Sequence, residues 1–323
     1  MVPERIVLSL TEKCNFACGH CSLESSPRKH KTLNKNLINK VIEEAFFIPS
    51  IQSIDFSGGE ATLYPDLLEE GIKLATEKGF ETSLTTNCWW AKTAKNSEEI
   101  LKNLADAGLK EITVSYDIFH APYLSMFGGE ENIINAVRTA ILLNLKVYIN
   151  VCKYPKEKIT DKYIRRLILN ENIKGDISII SGDALPLGRA KLKQVTDFFI
   201  DGYNSQKNDS GACLSVGRIV NVLPDGNVIF CCGHAVNKKT NNFFVLGNIA
   251  THNLSMLINQ MQKNALCWWL YIKGPESLLQ ELGEMAKKYK YCVACYELAT
   301  TYSKELLTFS KEKEKIIERL KGS

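Results

Sequence analysis

Six short apolar runs alternate with longer helical patterns over the first 180 residues, and this alternation restricts the fold more than any other feature of the chain. The runs cover 5–10, 51–57, 80–86, 111–116, 146–151 and 176–181. Between them, apolar residues spaced three and four apart predict helices at about 34–47, 65–78, 97–107, 131–143 and 159–170, with Gly79 and Gly108 stopping two of them. Strands separated by helices imply a parallel sheet with right-handed crossovers. A doubly wound sheet or an incomplete barrel would satisfy that grammar. Polar residues gather at the C-terminal ends of the runs, where barrel sites are built, and this favours a partial (β/α)6 TIM barrel within the α/β class.

After about residue 205 the pattern changes. The stretch 203–213 is polar and rich in Gly, Ser and Asn. Residues 217–232 then read as a hairpin turning at Pro224-Asp225-Gly226. Helical stretches at about 253–265 and 276–288 precede a Cys-x-x-Cys at 292–295. We therefore expect a barrel domain over 1–204, a small Cys-rich β-hairpin/helix auxiliary domain over 205–300, and a charged C-terminal helix over 301–323.

With 40 basic against 36 acidic residues the charge is too balanced to suggest nucleic acid. No apolar run approaches the roughly 20 residues of a membrane span, and the N-terminus lacks the apolar core of a signal peptide. A cytoplasmic protein is expected, contacting neither membrane nor nucleic acid. Its eleven cysteines are then better suited to metal or redox chemistry than to disulfides. They fall into a front set, Cys14, Cys18 and Cys21, and a rear set, Cys213, Cys231, Cys232, Cys292 and Cys295. Cys88, Cys152 and Cys267 stand alone and read as small buried hydrophobes.

The front spacing, C-x3-C-x2-C just after the first strand, resembles the cluster loop of the radical SAM superfamily. The resemblance implies that Cys14, Cys18 and Cys21 hold three irons of a [4Fe–4S] cluster. The fourth iron would be left to S-adenosylmethionine, cleaved to a 5′-deoxyadenosyl radical. A structural zinc site is the alternative on spacing alone. Further residues extend the resemblance over approximately 5–190. His20 holds the aromatic position beside adenine. Gly58, Gly59 and Glu60 form the GGE turn, with Glu60 accepting from the cofactor ammonium. Ser115 and Asp117 would reach the ribose hydroxyls, and Arg189 the methionine carboxylate. Asn87 and Asn150 end strands, where an asparagine either contacts cofactor or caps a helix.

Cys213, Gly226 and Cys231 are spaced C-x12-G-x4-C, which resembles the opening of the SPASM and twitch extensions of that superfamily. With the closing pair, Cys213, Cys231, Cys292 and Cys295 would ligate one auxiliary [4Fe–4S] cluster; a four-cysteine zinc ribbon is the alternative. No cysteine follows Cys295, so a second auxiliary cluster is not expected. Cys232 is left over. In an extended segment it would face away from Cys231, towards the barrel mouth, as a hydrogen-atom donor.

These features resemble radical SAM peptide epimerases, which act on ribosomally made precursor peptides and draw electrons from a flavodoxin or ferredoxin. With the first strand expected to start at residue 5, an N-terminal leader-recognition domain is not expected. Trp89, Trp90, Tyr123 and Lys153 would then meet the peptide at the barrel mouth. Dehydrogenation or thioether formation is the competing enzymatic reading, and a non-catalytic Cys-rich peptide-binding protein the competing class.

Overall fold

A computed structural model describes residues 1–154, 158–192, 212–232, 243–283, 291–306 and 308–309. Six parallel strands form its frame: β1 (Arg5–Thr11), β2 (Ser53–Gly58), β3 (Glu81–Thr86), β4 (Glu111–Ser115), β5 (Lys146–Lys153) and β6 (Ile177–Asp183). They pair in sequence order, and β6 ends the sheet, as an unclosed barrel requires. The crossovers carry α1 (Lys35–Phe46), α2 (Pro65–Glu77), α3 (Ala94–Asp106), α4 (Ala121–Leu124), α5 (Glu130–Leu142) and α6 (Asp161–Asn170).

Local sequence explains these elements. Asn34 caps α1 by accepting from the Leu37 amide, and Ile38, Val41, Ile42 and Ala45 form its buried stripe. Along the strands burial alternates with period two. Ile54, Phe56, Leu84, Ile112, Val114, Val147 and Ile149 are fully buried. Ser57, Ser115 and Asn150 alternate with them and line a cavity at the strand ends.

The rear segment continues the same sheet. β7 (Ile219–Val222) pairs parallel to β1, Arg5 facing Ile219 and Leu8 facing Val222. β8 (Asn227–Ile229) returns antiparallel after the expected turn, where Gly226 takes φ +82° and the Asn227 amide donates to Asp225. β9 (Val245–Asn248) completes nine strands. The polar boundary therefore interrupts the chain but not the sheet. A short helix α7 (Arg189–Leu192) follows β6, and α8 (Leu254–Lys263), α9 (Ala265–Ile272), α10 (Gly274–Glu281) and α11 (Tyr291–Thr300) follow β9. The sequence missed β9 and placed the closing cysteine pair on no element. It also joined α8 to the start of α9, where Asn264 caps a new helix. Most of the boundary segment and of the expected C-terminal helix lies outside the described residues. Among the described residues, no helix is long and apolar enough to cross a membrane.

Candidate active site

A cavity of about 420 Å³ opens at the C-terminal ends of the strands, within the roughly 300–1,000 Å³ of small-molecule and cofactor sites. Cys14, Cys18 and Cys21 all line it, together with His20, Gly58, Gly59, Glu60, Asn87, Ser115, Asp117 and Asn150. Backbone bonds shape the cysteine loop: the Cys14 amide donates to Ser26 O at 3.2 Å and the Cys21 amide to Cys18 O at 3.2 Å. Sulfur also receives donors. The Phe16 amide lies 3.4 Å and Asn87 Nδ2 3.7 Å from Cys14 Sγ. Burial, then the Glu60 charge, push the Cys14 thiol above its ordinary value.

The GGE turn sits against this loop. Gly59 and Glu60 donate their amides to Thr11 O and Lys13 O at 2.7 and 2.9 Å. A side chain on Gly59 would run into the Lys13 carbonyl, and Gly58 adopts φ +131°. Only glycine permits this approach. Glu60 is 1% exposed. Its Oε1 accepts from the Thr62 amide, Thr62 Oγ1 and Thr86 Oγ1, and its Oε2 from the Asn87 amide. Burial raises its pKa against the pull of these bonds.

Asp117 is also buried. Its Oδ1 accepts from the Phe119 amide, the His120 amide and His120 Nδ1 at 2.9, 3.1 and 2.9 Å. Its Oδ2 takes the Cys152 amide at 3.2 Å and faces His20 Nε2 at 3.7 Å. Burial alone would raise this carboxyl; the His120 charge and hydrogen bond outweigh it and hold the pKa at about 2. Burial, then the His120 charge, push His20 down to about 4. The neutral His20 ring stacks on Phe119 at 4.6 Å.

The residues present fit the implied cofactor. Asn15 Nδ2, His20 Nδ1 and Ser25 Oγ, all on the cysteine loop, are buried without a hydrogen-bond partner. Glu60 lines the cavity as a buried carboxyl, and among the described residues no Lys or Arg pairs with it. Polar groups awaiting partners and an acid awaiting a cation suit a polar, cationic ligand.

One front residue stands away from the cavity, and another is held by the protein itself. Arg189 is not among the cavity-lining residues; its Nη1 and Nη2 donate to Cys18 O and Ser25 O, each at 2.6 Å. It clamps the cysteine loop instead of reaching for a carboxylate. Asp117 has both oxygens engaged by protein donors and positions its neighbours, while still lining the cavity. Of the expected rim residues, Trp90 is 3% exposed and bonds Thr86 Oγ1, while Tyr123 donates to Ala17 O. Both belong to the frame.

At the rear, the five cysteines converge. Cys292 and Cys295 lie one helical turn apart on α11, with Cys232 hydrogen-bonded to Cys292. Cys213 and Cys295 both feel Cys232, and Cys295 feels Cys231 as well. The Cys213 amide is anchored to Leu270 O on α9. Among the described residues no three cysteine sulfurs lie within 4.8 Å of one another. A tetrahedral zinc with Zn–S of 2.3 Å would need sulfurs about 3.8 Å apart, so the thiols are spread more widely than that ion requires. The group that does meet this spacing is His20, Asp117 and Cys152, the carboxylate with its own neighbours.

Cys232 does not stand where the sequence put it. Strand β8 ends at Ile229, the chain bends at Phe230 and Cys231, and strict alternation no longer applies. Cys232 joins the rear thiols and is absent from the cavity lining. The thiol that lines the cavity without belonging to the front set is Cys152, at the end of β5.

Comparison with known proteins agrees with this geometry. Residues 8–168 match the Radical SAM superfamily, and residues 213–296 match SPASM, an iron-sulfur cluster-binding domain. The chain belongs to the radical SAM superfamily. Its radical SAM domain binds S-adenosylmethionine and a [4Fe–4S] cluster, and its SPASM domain binds auxiliary iron–sulfur. The chain is 22% identical over 311 residues to the "Putative peptide biosynthesis protein YydG" of Bacillus subtilis (strain 168), covering 94% of each chain. A PqqA peptide cyclase of Rhodopseudomonas palustris is 35% identical over 130 residues, 40% of this chain and 32% of that one. Native anSMEcpe with bound AdoMet and Cp18Cys peptide shares the fold, with a TM-score of 0.56 at 14% identity over 96% of this chain and 99% of that one.

Proposed function

We propose that this radical SAM enzyme modifies a ribosomally made peptide by inverting L-residues to D, with Cys232 as hydrogen-atom donor. The similarity to YydG over 94% of both chains supports a peptide substrate. One observation carries the finer reading: five rear thiols converge where a [4Fe–4S] cluster takes four. Cys231 and Cys295 are buried, whereas Cys213, Cys232 and Cys292 are half-buried, so the choice of Cys232 rests on the Cys-x-x-Cys pair and the C-x12-G-x4-C spacing that claim the other four. With Cys213, Cys231, Cys292 and Cys295 as ligands, Cys232 is the remaining S–H group. The front cluster and S-adenosylmethionine, held by the front cysteines and the cavity residues, would supply the carbon radical chemistry that removes a hydrogen atom. The chain's own part is to hold the peptide Cα between the cavity and the rear thiols, where Cys232 would return a hydrogen atom from the opposite face and be left as a sulfur radical that one further electron and a proton restore to the thiol. The Glu24 carboxylate, three residues after Cys21, is near enough for its charge to reach Tyr296 on α11, so the rear helix lies on the side of the front loop. A flavodoxin or ferredoxin supplies the electrons in this reading.

The test uses the reconstituted chain, a reductant and a short precursor peptide encoded near its gene. In deuterium oxide each inverted residue should gain one deuterium, because a thiol hydrogen exchanges with solvent. Cys232→Ala should still form 5′-deoxyadenosine while inverted product falls sharply. A second reading makes Cys152 the donor, because that thiol lines the cavity. It is favoured if Cys152→Ala abolishes inversion and Cys232→Ala does not. A product two hydrogens lighter, or one with a new sulfur bridge, would replace epimerisation by dehydrogenation or thioether formation.

A further inference from the structure

We propose that the basic turn at residues 28–31, beside the cysteine loop, is the docking site of an acidic flavodoxin that delivers the electron to the front cluster. The inference rests on the family's cluster at Cys14, Cys18 and Cys21 and on no particular peptide chemistry, so failure of the epimerisation reading leaves its test intact. Residues 28–31 read Arg-Lys-His-Lys. Arg28, His30 and Lys31 are exposed, and Lys29 is half-buried. Among the described residues the run's ion pair joins Lys29 Nζ to Glu12 Oε2 at 3.9 Å, and Glu12 is buried. The acid therefore lies on the inner side of the turn, while the Arg28 and Lys31 charges meet solvent.

Backbone hydrogen bonds hold this turn against the cysteine loop. The Lys29 amide closes it on Ser26 O at 3.1 Å, and Lys31 O accepts from the Glu12 amide at 2.9 Å and Thr11 Oγ1 at 3.0 Å. Ser26 O also accepts the Cys14 amide at 3.2 Å, and Arg189 bridges Ser25 O to Cys18 O. The segment that carries the charges is thus hydrogen-bonded to one cluster cysteine and bridged to a second. Residues 28–31 line no part of the cavity, so a protein docked on them leaves cofactor and peptide in place. An electron donor needs that arrangement, because reduction must proceed with the cavity filled. The whole chain is nearly balanced, 40 basic against 36 acidic residues, so attraction for an acidic protein has to come from a local patch. Opposed patches steer encounter and raise association rates about 10- to 1,000-fold at low salt, and a turn already held in place has little freedom to lose on docking. In the transfer itself the flavin hydroquinone gives up one electron and the front cluster gains it; no covalent bond forms or breaks between the partners.

The test reads binding as well as electron transfer. Calorimetry of oxidised flavodoxin with the reconstituted full chain should show affinity that falls as salt rises from about 0.01 to about 0.1 M, where the screening length shrinks from about 30 to about 10 Å. Arg28→Glu/Lys31→Glu should bind about tenfold more weakly at the lower salt. Formation of 5′-deoxyadenosine driven by flavodoxin hydroquinone should slow by the same factor, while formation driven by dithionite stays at the wild-type rate. Lys95→Glu/Lys102→Glu makes the same change of charge at exposed positions of α3 and should behave as wild type. Equal flavodoxin affinity in wild type and Arg28→Glu/Lys31→Glu overturns the proposal, as does an equal loss in the α3 pair. A reversed turn that weakens binding of the precursor peptide but accepts flavodoxin electrons at the wild-type rate overturns it in favour of a peptide-binding surface. Should the double reversal lose iron, Arg28→Ala/Lys31→Ala decides, and wild-type flavodoxin affinity there overturns the proposal equally.

Discussion

The Asn87 amide donates to Glu60 Oε2 at 2.8 Å, so the turn after β2 and the end of β3 share one buried carboxyl group. Asn87 then reaches the cysteine loop with its side chain, at Asn15 Oδ1 (3.0 Å) and Cys14 Sγ (3.7 Å). Glu60 is thereby coupled to a cluster ligand without touching it.

That coupling alters what Glu60→Gln should do. A glutamine retains one acceptor oxygen for the Thr62 and Thr86 hydroxyls but turns an NH2 towards the Asn87 amide. Two donors would then face each other in a buried site, at a cost of about 1–3 kcal/mol of stability. A role for Glu60 limited to the cofactor ammonium would instead weaken cofactor binding about ten- to hundredfold with stability unchanged. Denaturation midpoint and S-adenosylmethionine affinity, measured on the same preparation, separate the two outcomes. We expect both to fall, because the carboxyl is caged by the chain and still lines the cavity.

Arg189 gives a sharper contrast. Its guanidinium bridges Cys18 O and Ser25 O, two hydrogen bonds from a charged donor worth about 1.5–3 kcal/mol each. Arg189→Ala should loosen the cysteine loop, so front-cluster iron should be lost faster to a chelator while rear iron stays. Weakened cofactor binding with normal iron retention would return Arg189 to the role its sequence position suggested.

The fold was legible because period-two burial and period-3.6 stripes are local signals. Each of the six barrel strands starts within two residues of its expected place. The front cysteines and the GGE turn were legible for the same reason, since spacing within one loop is set by that loop. His120 was not, because its place in the cavity wall depends on Asp117, three residues before it, whose carboxylate fixes both its amide and its ring. Cys152 read as a lone buried thiol, and only the register that sets it opposite Gly182 on β6 brings it to the cavity. Cys232 was misplaced for a physical reason: alternation was extended past the last strand residue.

Inside the sheet, away from both cysteine sets, Asp55 is linked to pH. Burial raises its carboxyl to about 6 despite Arg5, whose Nη1 lies 3.2 Å away. The folded pKa therefore exceeds the unfolded value of 3.8, and between the two the folded chain binds more protons. Its stability contribution is present below about pH 4 and is lost as pH rises through about 6, reaching about 3 kcal/mol at neutral pH. Asp55→Asn has no such titration. Relative to that variant, wild type should lose about 1 kcal/mol between pH 5 and pH 7 in denaturant unfolding. A pH-independent difference would mean that Arg5 holds the group ionised throughout.

The last prediction concerns the backbone contact that joins the GGE turn to the cysteine loop. Gly59 donates its amide to Thr11 O at 2.7 Å, and a Cβ at this position would collide with the Lys13 carbonyl, one residue before Cys14. Backbone cannot yield as the end of a flexible side chain can, so Gly59→Ala must move the turn or the loop. Either movement displaces the Cys14 sulfur from the other two. The rear thiols are held by α9, α11 and the β7–β8 hairpin and do not depend on this contact. Anaerobic reconstitution of the variant should therefore give about four irons per chain, against about eight for two [4Fe–4S] clusters. 5′-Deoxyadenosine formation should be lost, as it should when Cys14, Cys18 and Cys21 are all replaced by alanine. Eight irons with normal cofactor cleavage in Gly59→Ala would show that the loop tolerates the methyl group and that the close approach is incidental.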